Sequence, residues 1–580
     1  MDMLWNLDKL YKSFDDPKLK ADIEKVREMM TGMQKICEED FANTDNSETK
    51  LINIINKSNE FADLIGNIYS YASLTYSVDT TNMKALGVIE KVEKMLPELA
   101  VIEVQFTRWL TKLEDIEYEG LIGDHKFAIA ERLKSAKYML DDKSEMILAT
   151  MKNTGSNAWG KLQDTMTSSL TIEFDGEKLP LPAIRNLADD KSQDIRKRAY
   201  EAELAAYPEI EKSSAASINS IKGEVITECE MRGYESPLQM TLLNSRMDKE
   251  TLDAMLAAMK EYLPELRKYM KKKASMLGHE NGLPFYDMAA PMGGADKKYT
   301  YAEARDFIVE KFNTFSGELG AFANNAFENN WIDAKMREGK VGGAFCANLH
   351  GIRESRIMSN FSGGFSDVTT LAHELGHGFH GDCLKDATNM NSDYPMPLAE
   401  TASIFCENIV MNAALETATP EETIAIVEHS LQEATAVIVD ILSRYIFETK
   451  LFEMRKDASL SSDQIKEIML EAQKEAYGDG LDQKYLHPYM WACKPHYYEA
   501  SMNFYNFPYA FGLLFAKGLY ARYLEEGDAF VPKYKTLLYE TGKNDIKGVL
   551  ATVGVDASDI NFWRGSLELI KKDIDTFCKL

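Results

Sequence analysis

Apolar residues recur at helical spacing through most of this chain, as in Leu51, Ile52, Ile54 and Ile55 and again in Phe61, Leu64 and Ile65. A helix patterned this way has one apolar stripe and must pack that stripe against another element. Proline, which would interrupt such helices, occurs only 16 times in 580 residues, below the usual ~5%. No repeat of fixed period and no low-complexity tract is present, so a compact multi-helix body is expected rather than a solenoid.

Charge narrows the partners. With 66 Lys and Arg against 92 Asp and Glu the net charge is −26, which repels phosphate backbones and anionic lipid and argues against nucleic acid or a membrane as partner. The seven cysteines are scattered and form no C-x-x-C pair, as expected in a reducing compartment and not for a disulfide framework. The opening residues MDMLWNLDKLYKSFDD mix charged and apolar groups without a signal-peptide pattern, and no run of about 18 apolar residues is free of charge. A cytoplasmic protein is expected.

Three stretches break the helical pattern. Thr171 to Pro182 alternates around Asp175-Gly176 and then carries Pro180 and Pro182, which predicts a short hairpin, an exit loop and a domain boundary nearby. The segment from Gly339 to Thr370 holds Gly342, Gly343, Gly363 and Gly364 between short apolar runs and predicts a small sheet. Gly278 to Asp296 is rich in Gly and Pro and predicts a loop between helices.

Directly after Thr370 comes Leu371-Ala372-His373-Glu374-Leu375-Gly376-His377-Gly378-Phe379-His380. Four-residue spacing puts His373 and His377 on one helix face, one turn apart, where both imidazoles reach one metal ion. Glu374 then lies beside the open coordination position as a base for the attacking water. Such an H-E-x-x-H arises by chance in about one chain in a hundred of this length. Thr369-Thr370 offers a cap for the helix, and Leu371, Ala372 and Leu375 give it a buried side.

A catalytic zinc usually takes a third protein ligand. The spacing that would place a histidine six residues after His377 puts Cys383 there instead. His380 is seven residues from His373, about 10.5 Å along a helix, too far to share one ion; it suits a second-shell or helix-end role. Pro395 to Glu407 offers a carboxylate, with Pro397 as a helix start and Glu400 as the favoured ligand. Ser403 and Glu407 follow on the same face, where Glu407 can orient a ligand imidazole.

The pair HELGH and LAETASIFCE resembles the oligoendopeptidase F branch of the thimet-oligopeptidase-like zinc metallopeptidases. Further similarity runs from about Ser192 towards the carboxy-terminus, through DIRKRAYEAELAAYPEIEKSSAASINSIKGEV, RGYESPLQ, PFYDMAAP and SNFSGGFSDVTTLAHELGHGFH. The amino-terminal region resembles the family's helical lid more weakly. The resemblance implies a mostly α fold, a multi-helix two-lobed body enclosing a deep substrate channel, with a small β-sheet beside the zinc-binding helix. It implies a lid region over 1–185, a catalytic region over 186–580, one zinc per chain and Glu400 as third ligand. The implied activity is hydrolysis of internal bonds in short unfolded oligopeptides by a zinc-held water, with Glu374 as general base.

The same resemblance gives meaning to Pro495-His496-Tyr497-Tyr498 and to Phe504-Tyr505-Asn506-Phe507-Pro508-Tyr509. Relatives carry a Pro-His and clustered tyrosines that contact substrate and the developing oxyanion, so His496, Tyr498, Tyr505 and Tyr509 are candidates. The chemistry agrees, because amide hydrolysis builds negative charge on oxygen that N–H and O–H donors stabilise. This chain has extra residues after His496, and Phe507 stands where many relatives have Tyr. Gly343, Ala344, Asn360, Phe361 and Gly363, in the expected sheet region, are candidates to hold the peptide backbone.

Three rivals remain at this level. A carboxypeptidase or a hydrolase of another amide would use the same metal chemistry, and a cationic group placed to grip a terminal carboxylate would favour it. A peptide-binding protein without turnover is disfavoured by the intact Glu374. A Cys346/His350 nucleophile pair lacks a third, orienting group.

Overall fold

The computed structural model describes residues 2–113, 123–293 and 298–580. It is mostly helical, with five strands among the described residues: β1 (Thr171–Phe174), β2 (Glu177–Pro180), β3 (Ile332–Asp333), β4 (Phe345–Leu349) and β5 (Glu354–Met358). The helices that carry the argument are α1 (Pro17–Glu39), α2 (Ser47–Val78), α3 (Glu211–Arg232), α4 (Gly317–Glu328), α5 (Phe365–Leu384), α6 (Thr401–Leu415), α7 (Ile441–Asp457) and α8 (Phe507–Glu526). No helix among the described residues is long and apolar enough to cross a membrane.

The chain forms two compact units, each drawn from three stretches of sequence. One comprises Met1–Lys137, Asp296–Ala414 and Arg522–Val555; the other comprises Tyr138–Ala295, Leu415–Ala521 and Asp556–Leu580. The border expected at 185/186 falls inside the second unit. Its sequence signal was the hairpin, which is present: β1 pairs antiparallel with β2. Asp175 and Gly176 both take positive φ, 52° and 84°, as a two-residue hairpin turn requires.

In the first unit, α1 starts where Asp16 caps the backbone N–H of Lys18 at 2.9 Å and Pro17 fills the first turn. Its apolar stripe and that of α2 share a core with Phe41, Phe106 and Trp109. Phe41 stacks on Trp109 with ring centroids 4.4 Å apart. Leu349, from β4, closes this core, so the strand that borders the site is anchored to the amino-terminal helices.

The expected small sheet is there, in the order β3-β5-β4. β4 and β5 are antiparallel, and β3 adds in parallel on the far side of β5. The loop expected over 278–296 is irregular apart from one short turn of helix at Phe285–Asp287, and its positions 294–296 lie outside the described residues.

In the second unit the core gathers Leu170, Ile172, Tyr207, Ile218, Phe447, Trp491 and Tyr497. Helices α3 and α7 are tied inside it by Lys222 and Glu448, both fully buried, with Nζ 3.0 Å from Oε1.

Candidate active site

Helix α5 begins at Phe365, earlier than Thr369-Thr370 would suggest. The Asp367 carboxylate accepts from the Gly364 and Ser362 backbone N–H groups at 3.0 and 2.8 Å, so it is Asp367 that stabilises the helix start, and both threonines lie within the helix.

Helix α6 packs closely against α5. A Cβ at Gly376 would stand 2.5 Å from the Ala402 carbonyl oxygen and 2.6 Å from Ser403 Cα, so only glycine permits this approach. The contact sets three ligand atoms together. His373 Nε2 and His377 Nε2 are 3.1 Å apart, and Glu400 Oε2 lies 3.3 and 3.4 Å from them. Ligand atoms about 2.1 Å from a tetrahedral ion stand about 3.4 Å apart, so this donor set fits one small divalent cation. Among the described residues it is the one group of three His, Cys, Asp or Glu that converges so.

Two further contacts orient the ligands. Ser403 Oγ donates to Glu400 Oε2 at 2.7 Å. His373 Nδ1 lies 2.9 Å from Glu407 Oε1, which makes Nδ1 the protonated nitrogen and leaves Nε2 to face Glu400.

Electrostatics agree with a cation here. Burial works against charge on His373, but hydrogen bonds to Glu400 and Glu407 outweigh it and push the imidazole up to about 11. Burial likewise opposes charge on Glu400, yet His373 and His377 hold it down to about 2. His377 is lowered to about 4, chiefly by burial. The two carboxylates thus favour positive charge at His373, while burial keeps His377 neutral.

Glu374 differs from its neighbours. It is 6% exposed, its Oε2 has no hydrogen-bond partner among the described residues, and burial raises it to about 7. A desolvated carboxyl with proton affinity near neutrality suits general base work.

His380 is no helix-end residue. It is fully buried, its Nε2 lies 2.8 Å from Thr541 Oγ1, and its ring stacks on Tyr394 at 4.1 Å. It therefore braces α5 from behind. Cys346 and His350 make no pair: His350 is held by Asp63 at 2.6 Å and the Ala387 carbonyl at 3.0 Å.

The sheet presents an open edge. Ile357 and Ser359 donate their N–H groups to the Trp331 and Asp333 carbonyls, so alternate residues of β5 face β4. In that register Phe345, Ala347 and Leu349 bond to β5, and the backbone groups of Cys346 and Asn348 point to the free side. Asn348 Nδ2 also donates to the His377 carbonyl at 3.2 Å, which ties the edge to α5. The candidates Asn360, Phe361 and Gly363 serve the loop beyond β5. Asn360 Nδ2 bridges the Val341 and Gly343 carbonyls, Phe361 is buried against Tyr301, and the Gly363 carbonyl accepts from Tyr299 N–H. Gly343 and Ala344 lie just before β4. The open backbone is thus that of Cys346 and Asn348, which no motif marks.

In the second unit, His496 sits in a short helical turn, Pro495–Tyr498. Burial, aided by the positive charges of Arg444, Lys222 and Lys494, lowers it to about 3, so the imidazole is neutral. Its Nε2 is buried without a hydrogen-bond partner among the described residues. Tyr505 packs 5.9 Å from the His496 ring, and Tyr509 stands edge-on to Tyr505 at 5.4 Å. Phe504, before Tyr505, holds a left-handed φ of 52° and is buried against Phe452; such local strain is typical of functional segments. Tyr498 is 3% exposed within the unit's core, and burial pushes its hydroxyl well above the usual phenol range. Sequence proximity to His496 put it on the candidate list, but its side chain packs inward.

Known proteins resemble the chain over its whole length. The model of Peptidase family M3 matches residues 186–569, and that named Oligopeptidase F matches 109–172. An oligoendopeptidase F homolog of Lactococcus lactis subsp. lactis is 25% identical over all of this chain and 97% of its own length. Oligopeptidase PepF of Bacillus subtilis is 22% identical over 98% of this chain and 86% of its own. The crystal structure of oligoendopeptidase-F from Enterococcus faecium superposes with a TM-score of 0.69 at 18% identity, covering 97% of this chain and 98% of the other. The chain belongs to Peptidase family M3, as an oligoendopeptidase F-like metallo-oligopeptidase.

Proposed function

We propose that this enzyme is a zinc-dependent endopeptidase that cleaves internal bonds of short unfolded oligopeptides. The observation that carries the reading is the convergence of His373 Nε2, His377 Nε2 and Glu400 Oε2 within 3.4 Å of one another beside the desolvated Glu374. Those three side chains would hold the zinc, which when bound polarises the scissile carbonyl and acidifies water. Glu374 takes the proton from the attacking water on a carboxylate oxygen and returns it to the leaving amine nitrogen. Glu407 fixes the His373 tautomer through Nδ1.

The open backbone groups of Cys346 and Asn348 add an extended peptide to the sheet edge, which fixes the main chain while leaving side chains free to vary. His496, with Tyr505 and Tyr509, donates hydrogen bonds to the substrate and to the oxyanion; support comes from the neutral imidazole and its unpartnered Nε2. Residues 1–185 act as a lid region and 186–580 as the catalytic region. Cytoplasmic location belongs to the same reading, supported by seven cysteines that are all free thiols.

Mass spectrometry of products from a mixed oligopeptide library tests this, with wild type, Glu374→Gln and chelator-treated protein assayed for metal in parallel. Internal cleavage by wild type alone, with about one zinc per chain kept in Glu374→Gln, is the expected result. Trimming from one end would make the enzyme an exopeptidase, and normal cleavage by Glu374→Gln would remove the proposed base.

A further inference from the structure

The buried pair of Lys222 in α3 and Glu448 in α7 has contacts that reach beyond the pair itself. Lys222 Nζ donates to Glu448 Oε1 at 3.0 Å and also to Asn503 Oδ1 at 2.9 Å. The second carboxylate oxygen, Glu448 Oε2, accepts from Asn506 Nδ2 at 3.2 Å. The pair therefore grips the chain on both sides of Tyr505. A third helix, Pro237–Asn244, adds a hydrogen bond from Thr241 Oγ1 to the Asn503 carbonyl at 2.9 Å.

Held this way, the segment takes a form that its own residues disfavour. Phe504 has a φ of 52°, a left-handed backbone that is costly for a bulky aromatic residue. Its ring is wedged against α7, with centroids 5.6 Å from Phe452 and 5.7 Å from Tyr445. Spacings of three and four residues put Tyr445, Glu448 and Phe452 on one face of that helix. The Asn506 N–H donates to the Phe504 carbonyl at 2.7 Å, which closes a three-residue turn with Tyr505 at its apex. Asn503, Phe504, Asn506 and Phe507 are all buried, whereas Tyr505 is partly exposed. The turn sets the Tyr505 ring 5.9 Å from that of His496, and Lys222 is, after burial and Arg444, among the groups that keep this imidazole neutral.

A buried ion pair is a poor source of stability, because desolvation offsets most of its attraction and an apolar pair of similar volume often serves as well. What apolar residues cannot supply is a donor for Asn503 and an acceptor for Asn506. Resting on the role proposed above for Tyr505, we infer that Lys222 and Glu448 are positioning residues that hold the turn at 503–506 in its strained form and so aim Tyr505 at the substrate.

The test uses the double variant Lys222→Met with Glu448→Leu, which removes both anchors and leaves no uncompensated charge. Asn503→Ala and Asn506→Ala, which spare the pair, serve should the double variant misfold. Each is made with and without Tyr505→Phe. With Tyr505 present, kcat is expected to fall at least about fivefold at unchanged metal content. With Tyr505→Phe already in place the further fall stays under about twofold, because the anchors act through that residue. Hydrogen exchange gives a readout apart from activity: the amides of 499–509 exchange faster in the anchor variants than in wild type. Full kcat in Tyr505→Phe would sink the reading of Tyr505 alone, and faster exchange over 499–509 would still uphold the positioning. Unchanged exchange there, or a kinetic loss that persists in full in Tyr505→Phe, overturns the inference.

Discussion

His373 and Glu407 are joined at 2.9 Å through Nδ1 and Oε1, although 34 residues separate them, and the contact decides which imidazole nitrogen is free for a metal. Glu407→Ala removes that restraint while leaving all three ligands in place. Its affinity for zinc is expected to fall about 10- to 100-fold, read by competition against a chelator of known strength. Unchanged affinity would mean that ring packing alone orients His373.

Glu374→Gln keeps the size of the side chain and removes its basicity. Loss of a general base costs about 10²- to 10⁴-fold in kcat, and the expected outcome is a fall of at least that size with bound metal unaltered. Parallel kinetics and metal analysis check it, since a loss of metal would point to a structural effect.

Lys222 and Glu448 form a fully buried pair, and Lys222 Nζ also donates to Asn503 Oδ1 at 2.9 Å. Lys222→Met strands the Glu448 carboxylate in the core, and a loss of about 3–5 kcal/mol is expected. The double variant Lys222→Met with Glu448→Leu recovers much of it, because no uncompensated charge is left. Denaturant unfolding of the two variants measures the difference.

His350 and Asp63 make stability depend on pH. The hydrogen bond to Asp63 raises His350 despite partial burial. Burial opposes ionisation of Asp63, but hydrogen bonds from His350 and Asn389 lower it overall. The His350 contribution is therefore complete below its unfolded value of about 6.5 and is lost as pH rises through its higher folded value. The Asp63 contribution is present above its unfolded value of about 3.9 and is lost as pH falls through its lower folded value. Both act together between about pH 4 and 6.5. His350→Gln is expected to destabilise by about 1 kcal/mol or less in that window, since the pair is partly exposed, and by less at pH 9. Melting temperatures of both proteins at pH 5.5 and 9 test the sign.

Tyr505→Phe and Tyr498→Phe separate the aromatic candidates. Tyr505 is partly exposed and rests on His496, so losing its hydroxyl is expected to lower kcat by about tenfold or more if it donates to the oxyanion. Tyr498 is a core residue, and its variant should keep kcat within about twofold. Steady-state kinetics on one peptide decides between them.

Much of the metal site was legible from local rules. His373, Glu374 and His377 follow from helical spacing, and the turn at Asp175-Gly176 follows from the need for two positive φ angles. Glu400 was the favoured third ligand because a helix start and a shared face with Glu407 could be read from Pro397 onward. These are short-range consequences of bond geometry, which the order of residues specifies directly.

What the order of residues left open was decided at longer range. Asn348 and Cys346 border the site because the register of β4 on β5 turns their backbone outward, and register depends on which neighbours pack on each face. Tyr394 is held by its stack on His380, and Tyr498, beside His496 in sequence, turns into a core instead. The close contact at Gly376 with Ala402 and Ser403 brings α5 and α6 together. Burial, and the proton affinities it sets at Glu374 and His377, belongs to the packed molecule, because desolvation is a property of everything surrounding a group and not of the group's place in the chain.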